Sequence, residues 1–136
     1  VTPALARNYP VAIRFMQEKA ALGEAVLSLP EDTSLYVFSD TIAPIRTYAF
    51  TPGALPPGEP TDRAIREIEQ KRVRYLLWSN RTFMEYGAPI FGLDFNRDFG
   101  EYLRAHYRRI GPLTPVTVMW EWNASVWERK PERVGN

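Results

Sequence analysis

A helix pattern that runs directly into an apolar strand pattern constrains the fold of this chain more than any other feature. Residues 62–72 read DRAIREIEQKR, with an apolar stripe along one face and acidic residues giving way to basic ones. This is typical of an amphipathic helix whose charges oppose its dipole, and Thr61 is the expected N-cap. The apolar run 73–78, VRYLLW, follows with almost no linker. Because a shorter apolar run at 25–29 precedes the helix, the order predicts a βαβ unit with two parallel strands.

Other segments place further helices and a hairpin around this unit. The stretch TSLYVFSD fits either a short helix or a strand, and the acids after Pro30 favour the helix. The remaining predicted elements are a helix at 9–22 capped by Asn8, a strand at 45–50, a loop at 51–60, a helix from Phe95 to Ile110, and a hairpin of 116–122 and 125–129 that turns at Asn123 and Ala124. The predicted fold is α/β: a small sheet with a parallel βαβ core, flanked by helices and ending in an antiparallel hairpin at the sheet edge.

Composition excludes several classes of protein. A length of 136 residues fits one domain, and no apolar run approaches the roughly 18 residues of a membrane span. The formal charge is only +1, with basic and acidic residues interspersed, so no nucleic-acid partner is expected. The absence of cysteine excludes disulfides and thiolate metal sites. The chain begins at Val1 without an initiator Met or a signal pattern, so we expect a piece of a longer protein or a processed form.

Catalytic chemistry finds little support in the residue pattern. The sequence has no nucleotide-binding glycine motif, no zinc-protease motif and no nucleophile elbow. The one histidine, His106, lies on the apolar stripe of a predicted helix and is best interpreted as a packing residue. The carboxylates of Glu31, Asp32 and Glu121 lack an evident acid–base partner. We therefore expect no catalytic residue, no metal site and no cofactor in this chain.

The edge of the sheet where the parallel strands end is the predicted binding region. Ligands of open α/β sheets meet the loops at the carboxyl ends of strands, and the loop at 79–95 leaves such an end. We predict that the following residues converge there: Arg46, Tyr48, Asn80, Arg81, Glu85, Tyr86, Phe91 and Asp94. In the alternative interpretation, the aromatic residues of the loop merely close the sheet end over the core.

The order of segments also carries a family resemblance. Over residues 9–111 the chain reads, in order, LSLPED, TSLYVFSD, IRTYAFTPG, TDRAIREIEQKR, VRYLLWSN, EYGAPIFGLDF and FGEYLRAHYRRIG. This succession resembles the soluble C-terminal domain of bacterial multi-spanning membrane glycosyltransferases. The group concerned is that of the dolichyl-phosphate-mannose-dependent and polyprenyl-phosphate-sugar-dependent mannosyltransferases.

That resemblance implies a location and a parent protein rather than a reaction. In the family, the catalytic acids lie in loops among the membrane helices, and the soluble tail lies on the extracytoplasmic side of the membrane. No catalytic residue is carried over to this chain. The positions carried over, as a surface or structural loop typical of the family, are Arg46, Glu85, Tyr86, Gly87, Phe91, Gly92, Asp94 and Phe95.

Two functions remain open. The first is a noncatalytic accessory domain that packs on the membrane-embedded part of its parent protein and helps to position an acceptor glycan, a polyprenyl-phosphate sugar or a partner. The second is a free-standing α/β domain that binds an anionic ligand, a sugar phosphate or a nucleotide, at the strand ends through Arg46 and Arg81.

Overall fold

A computed structural model describes residues 3–115 and 121–132 of the chain, with side chains described from residue 7 onward. The described part contains four α-helices, four strands and one short 3₁₀ helix. Their bounds are α1 Pro3–Ala21, β1 Val26–Leu29, α2 Ser34–Ser39, α3 Glu59–Lys71, β2 Tyr75–Ser79, the 3₁₀ helix Met84–Tyr86, α4 Arg97–His106, β3 Tyr107–Pro112 and β4 Ala124–Arg129.

The strands form one mixed sheet in the order β1-β2-β4-β3. β1 and β2 are parallel, with Val26 opposite Tyr75 and Leu29 opposite Trp78. β4 pairs antiparallel with both β2 and β3. The structure therefore confirms the predicted α/β class, with its parallel pair and its antiparallel C-terminal strands.

Helices pack on both faces of the sheet, which is why β1 and β2 are nearly continuous apolar runs. One buried cluster joins Leu76 of β2 to α3 and α4, through residues such as Ile68 and Leu103. The other joins Leu77 of β2 to α1 and α2, through residues such as Met16. Side chains alternate between the faces of a strand, so a strand that is covered on both sides is apolar at consecutive positions.

Several predicted element bounds are wrong. The segment 45–50 is not a strand, although Ile45 and Phe50 are buried. The predicted last helix stops at His106, and Tyr107–Pro112 is the edge strand β3. β3 is the hairpin partner of β4, which lies inside the sheet and not at its edge. The predicted partner strand at 116–122 falls mostly on 116–120, outside the described residues.

The predicted helix caps are also wrong. α1 begins well before Asn8, whose side-chain Nδ2 donates instead to the Trp122 carbonyl oxygen at 2.6 Å. α3 begins before Thr61, whose Oγ1 donates to the Pro56 carbonyl oxygen at 2.8 Å. Each residue forms a hydrogen bond between a helix and a loop, and a local sequence pattern does not reveal such a contact. In the described part of the chain, no helix combines the length and apolar composition needed to cross a membrane.

Candidate functional site

Polar residues from three strands meet at the edge where β1 and β2 end. Because the parallel strands end together, Glu31 and Asp32 after β1 lie at the same edge as Asn80 and Arg81 after β2. β4 runs the other way, so it begins at this edge, and Trp122 and Asn123 precede it. We call these residues the strand-end rim: Glu31, Asp32, Asn80, Arg81, Trp122 and Asn123.

Arg81 is the charged centre of the strand-end rim. Its Nε donates to Glu31 Oε2 at 3.0 Å and its Nη2 donates to Glu85 Oε1 at 2.6 Å. The guanidinium also lies 4.3 Å from the centre of the Phe83 ring. The hydrogen bond to Glu85 raises the pKa of Arg81, and the same bond lowers the pKa of Glu85. An incoming anion would therefore have to displace a carboxylate from Arg81.

Asn80 and Asn123 join β2 to β4 through their backbones and side chains. The Asn80 backbone N–H donates to the Asn123 carbonyl oxygen at 3.0 Å, and the Asn123 N–H donates to Asn80 Oδ1 at 3.2 Å. Asn80 Nδ2 donates to the Glu121 carbonyl oxygen at 2.7 Å, and Asn123 Nδ2 donates to the Thr114 carbonyl oxygen at 2.9 Å. These amide groups hold the start of β4 in place, and they are engaged in hydrogen bonds within the protein.

Asp32 is a largely buried carboxyl group in the strand-end rim. Trp122 Nε1 donates to its Oδ1 at 3.1 Å, whereas its buried Oδ2 accepts no hydrogen bond from the residues that the structure describes. Burial raises the pKa of Asp32, and the nearby Ser79 hydroxyl and the Trp122 bond only partly oppose that effect. The indole of Trp122 packs edge-on against Tyr9, with 4.9 Å between ring centroids. Asp32 thus links the end of β1 to α1 through Trp122.

The loop at 79–95 has an aromatic floor. Phe83 and Phe91 are buried in the cluster on the α3 and α4 side, and Phe95 packs against both, with ring centroids 5.4 and 5.7 Å away. The Phe83 N–H donates to the Pro89 carbonyl oxygen at 2.9 Å, and the Ile90 N–H donates to Asp94 Oδ2, also at 2.9 Å. Aromatic packing on the core and hydrogen bonds within the loop therefore both hold it in place.

Large apolar side chains of the same loop face outward. We call them the apolar crown: Met84, Tyr86, Ile90 and Leu93, with exposed fractions of 71, 57, 40 and 52%. Exposed apolar residues that occur singly need no explanation, but four within ten residues of one anchored loop form a candidate contact surface.

The sequence-predicted site residues fall into three groups. Asn80 and Arg81 lie in the strand-end rim, where Asn80 bonds to the Glu121 carbonyl oxygen and Arg81 bonds to Glu31 and to Glu85 beside the rim. Tyr86, Phe91 and Asp94 lie in the adjoining loop, where Phe91 is a core residue and Asp94 braces the backbone.

Arg46 and Tyr48 form the third group and lie apart. The Arg46 N–H donates to Glu67 Oε2 of α3 at 2.7 Å, and its exposed side chain is 3.8 Å from Glu67 Oε1. Tyr48 is exposed, and the Phe50 N–H at the end of the segment donates to the carbonyl oxygen of Pro30, the residue before the rim residue Glu31, at 2.6 Å. Within the described part of the chain, no hydrogen bond or ion pair joins Arg46 or Tyr48 to Arg81.

The sequence prediction omitted four members of the strand-end rim. Glu31 and Asp32 follow β1 directly, so the rule that binding residues follow parallel strands already signals them. Trp122 and Asn123 reach the rim because β4 pairs with β2, and no local pattern reveals that pairing.

Among residues 3–115 and 121–132, no group of three or more histidine or acidic side chains is placed to hold a metal ion. The one strongly basic group of the rim is already paired with two carboxylates. No protein-family model, curated protein or solved structure matches this chain. Inference about function therefore begins from its own residues.

Proposed function

We propose that this chain is a noncatalytic extracytoplasmic accessory domain of a bacterial membrane glycosyltransferase-like protein. In this proposal the apolar crown docks on the membrane-embedded part of the parent protein. There the domain helps to position the acceptor or the lipid-linked sugar. The observation that carries the proposal is the combination of an anchored loop with four outward-facing apolar side chains.

The energetics favour a protein contact at the crown. Full burial of one large apolar side chain contributes about 1.5–3 kcal/mol. Covering the exposed fractions of the four crown residues would then contribute on the order of 5 kcal/mol. Because the aromatic floor already orders the loop, docking loses less conformational entropy than it would with a mobile segment.

The segment order supports the choice of parent protein. The loop that carries the crown contains EYGAPIFGLDF, one of the segments in which the chain resembles the glycosyltransferase tails. In that family the tail lies beside membrane helices on the extracytoplasmic side. A docking surface on this loop fits such a location, with the membrane-embedded part as the partner.

An anionic ligand at the strand ends is the second candidate function. Arg81 supplies a suitable group, but it is bonded to Glu31 and Glu85 at 3.0 and 2.6 Å. Arg46 would have to reach the same ligand from beside Glu67 of α3. The ligand would therefore displace existing ion pairs without help from a nearby second arginine, which makes this the weaker proposal.

Site-specific photo-crosslinking in cells tests the docking proposal. A photoreactive amino acid replaces Met84 of the crown, and a matched variant carries it at Leu22, which is similarly exposed at 69% but follows α1. We expect crosslinks from position 84 to membrane-spanning segments of the same polypeptide, identified by mass spectrometry, and few from position 22.

Equal crosslinking from the two positions would overturn the docking surface. The genomic reading frame upstream of Val1 tests the parent protein separately, since the proposal requires several apolar segments of about 20 residues there. A frame without such segments would reject the parentage.

A further inference from the structure

A groove at the other end of the strands, where β2 and β3 begin and β4 ends, carries an excess of positive charge. It lies between the end of α3 and the β3–β4 hairpin and has a volume of about 810 Å³. The cationic residues that line it are Arg72, Arg74, Arg108, Arg129 and Lys130. Three carboxylates, those of Glu69, Glu128 and Glu132, also line it, so the lining has an excess of two positive charges, whereas the whole chain carries +1. We call this the basic groove.

Ion pairs within the protein account for only part of this charge. Arg74 is 2.9 Å from Glu128, and Arg129 is 2.7 Å from Glu69. Arg108 is exposed and only 3.9 Å from a Glu128 oxygen, at the limit of an ion pair. The Arg72 side chain is exposed and makes no hydrogen bond or ion pair with the described residues. The Arg72 guanidinium is therefore available to a ligand, and the exposed Arg108 guanidinium is held only by this long ion pair.

The backbone at Arg72 adopts a conformation that it shares with Asp40 and Asn96 among the non-glycine residues described. Arg72 ends α3 in the left-handed conformation, with φ 49° and ψ 53°. Glycine is the residue that adopts this conformation at a helix C-terminus with least strain. An arginine is more strained than glycine at this position, and its side chain lines the basic groove.

Helix C-termini normally disfavour anions, because their free carbonyl groups are negative. α3 ends at the basic groove, and some carbonyl groups in the last turns of α3 and α4 accept hydrogen bonds. The Lys130 N–H donates to the His106 carbonyl oxygen at 2.9 Å, and Lys130 Nζ donates to the Ala105 carbonyl oxygen at 3.1 Å. The Val73 N–H donates to the Ile68 carbonyl oxygen at 3.2 Å. The guanidinium groups therefore dominate what a ligand in the groove would meet.

We propose that the basic groove binds a phosphate-bearing anion through Arg72 and Arg108. A guanidinium group pairs two of its N–H groups with two phosphate oxygens, and arginines from separate elements can hold more than one phosphate. The groove volume lies within the range of about 300–1,000 Å³ that is usual for small-molecule sites, which leaves room for a group attached to the phosphate. A free phosphate compound and a phospholipid headgroup share this chemistry.

Calorimetric titration of the chain with pyrophosphate tests the proposal. We expect saturable binding that weakens with added salt. The Arg72→Gly variant should bind about tenfold more weakly, while its melting temperature stays equal to or above that of the wild type, because glycine relieves the backbone strain. Arg108→Gln should also weaken binding, and it leaves the strained backbone at Arg72 unchanged.

Arg46→Ala is the matched control, since it removes one exposed arginine that does not line the basic groove. It should bind pyrophosphate like the wild type. No saturable binding, unchanged binding by Arg72→Gly, or an equal loss in Arg46→Ala would overturn the proposal. The last result would show that binding follows the total positive charge and not a site in the basic groove.

Vesicles distinguish the two sources of phosphate. Sedimentation with phosphatidylglycerol vesicles, and not with phosphatidylcholine vesicles, would identify a lipid headgroup if Arg72→Gly abolishes it. Pyrophosphate binding without vesicle binding would identify a free phosphate compound.

Discussion

At the scale of single residues, the burial of Asp32 makes stability depend on pH. Burial holds the pKa of this carboxyl above its ordinary value of 3.8. The folded chain therefore binds the proton more tightly than the unfolded chain does. As the pH rises from below 3.8 through the raised folded value, the contribution of Asp32 to the free energy of unfolding falls. Ionisation of Asp32 therefore makes the folded chain less stable.

Replacing Asp32 by Asn should therefore stabilise the chain at neutral pH. The amide carries no charge and keeps an oxygen that accepts from Trp122 Nε1. We expect the free energy of unfolding to rise by roughly 1 kcal/mol at pH 7, and the gain to vanish below the ordinary pKa of 3.8. Urea unfolding at a series of pH values measures this.

The exposed Glu18 on α1 provides the control. Glu18→Gln makes the same carboxylate-to-amide change at the surface and should leave the pH profile unchanged. A gain for Asp32→Asn that persists at low pH would show that charge burial is not the cause.

At the scale of elements, local patterns predict the βαβ unit well. β1, α2, α3 and β2 lie near their predicted positions, because apolar runs define the strands and α3 passes into β2 through a short connection. The segment 45–50 alternates like a strand, but it has no neighbouring strand, and the Phe50 N–H bonds only to Pro30. Its buried Ile45 and Phe50 fill the core from an irregular segment. A strand requires a partner, and the sequence of one segment does not show whether a partner exists.

The end of α4 shows the same limit. Tyr107 follows Leu103 at helical spacing, and both are buried in one cluster. The sheet nevertheless takes Tyr107 into β3, where it lies opposite Arg129 of β4. At the rim, Arg81 was predicted from its position after β2, whereas its pairing with Glu31 joins residues 50 positions apart. Contacts between residues so far apart in the sequence depend on the order of the strands in the folded sheet.

The packing of α4 against the anchored loop gives a sharp prediction for Gly100. A methyl group built on Gly100 would lie 2.5 Å from the Gly92 Cα, and the Gly92 backbone is itself at a positive φ of 82°. Gly100→Ala should therefore push α4 away from the loop and lower the free energy of unfolding by about 3 kcal/mol. Chemical denaturation followed by circular dichroism measures the loss.

Gly111 in β3 provides the comparison, because a methyl group there meets nothing within 4 Å. Gly111→Ala should change stability by less than about 0.5 kcal/mol. If the two variants lose the same stability, close packing of Gly100 on Gly92 is not what holds the loop.

At the scale of the whole molecule, one sheet separates two buried clusters. Leu76 and Leu77 are consecutive residues of β2, yet they belong to the clusters on opposite faces. The apolar crown lies beyond the end of β2, and the basic groove lies where β2 begins. Both proposed surfaces therefore depend on the same sheet of four strands. A substitution that destabilises one cluster should therefore also destabilise the other, because both clusters pack on the backbone of β2.

Leu77→Ala tests whether the two layers unfold together. Truncating this buried side chain should cost about 2–5 kcal/mol through lost burial and the cavity left behind. If the sheet couples the layers, the slowest-exchanging amides of α4 should lose as much protection as those of α1, although α1 packs on the Leu77 side and α4 packs on the opposite side. Hydrogen exchange followed by mass spectrometry measures both helices in one sample, and Leu76→Ala makes the reciprocal change on the other face. Loss of protection confined to α1 in one variant and to α4 in the other would mean that each layer unfolds by itself, and the crown could then stay folded while α1 detaches.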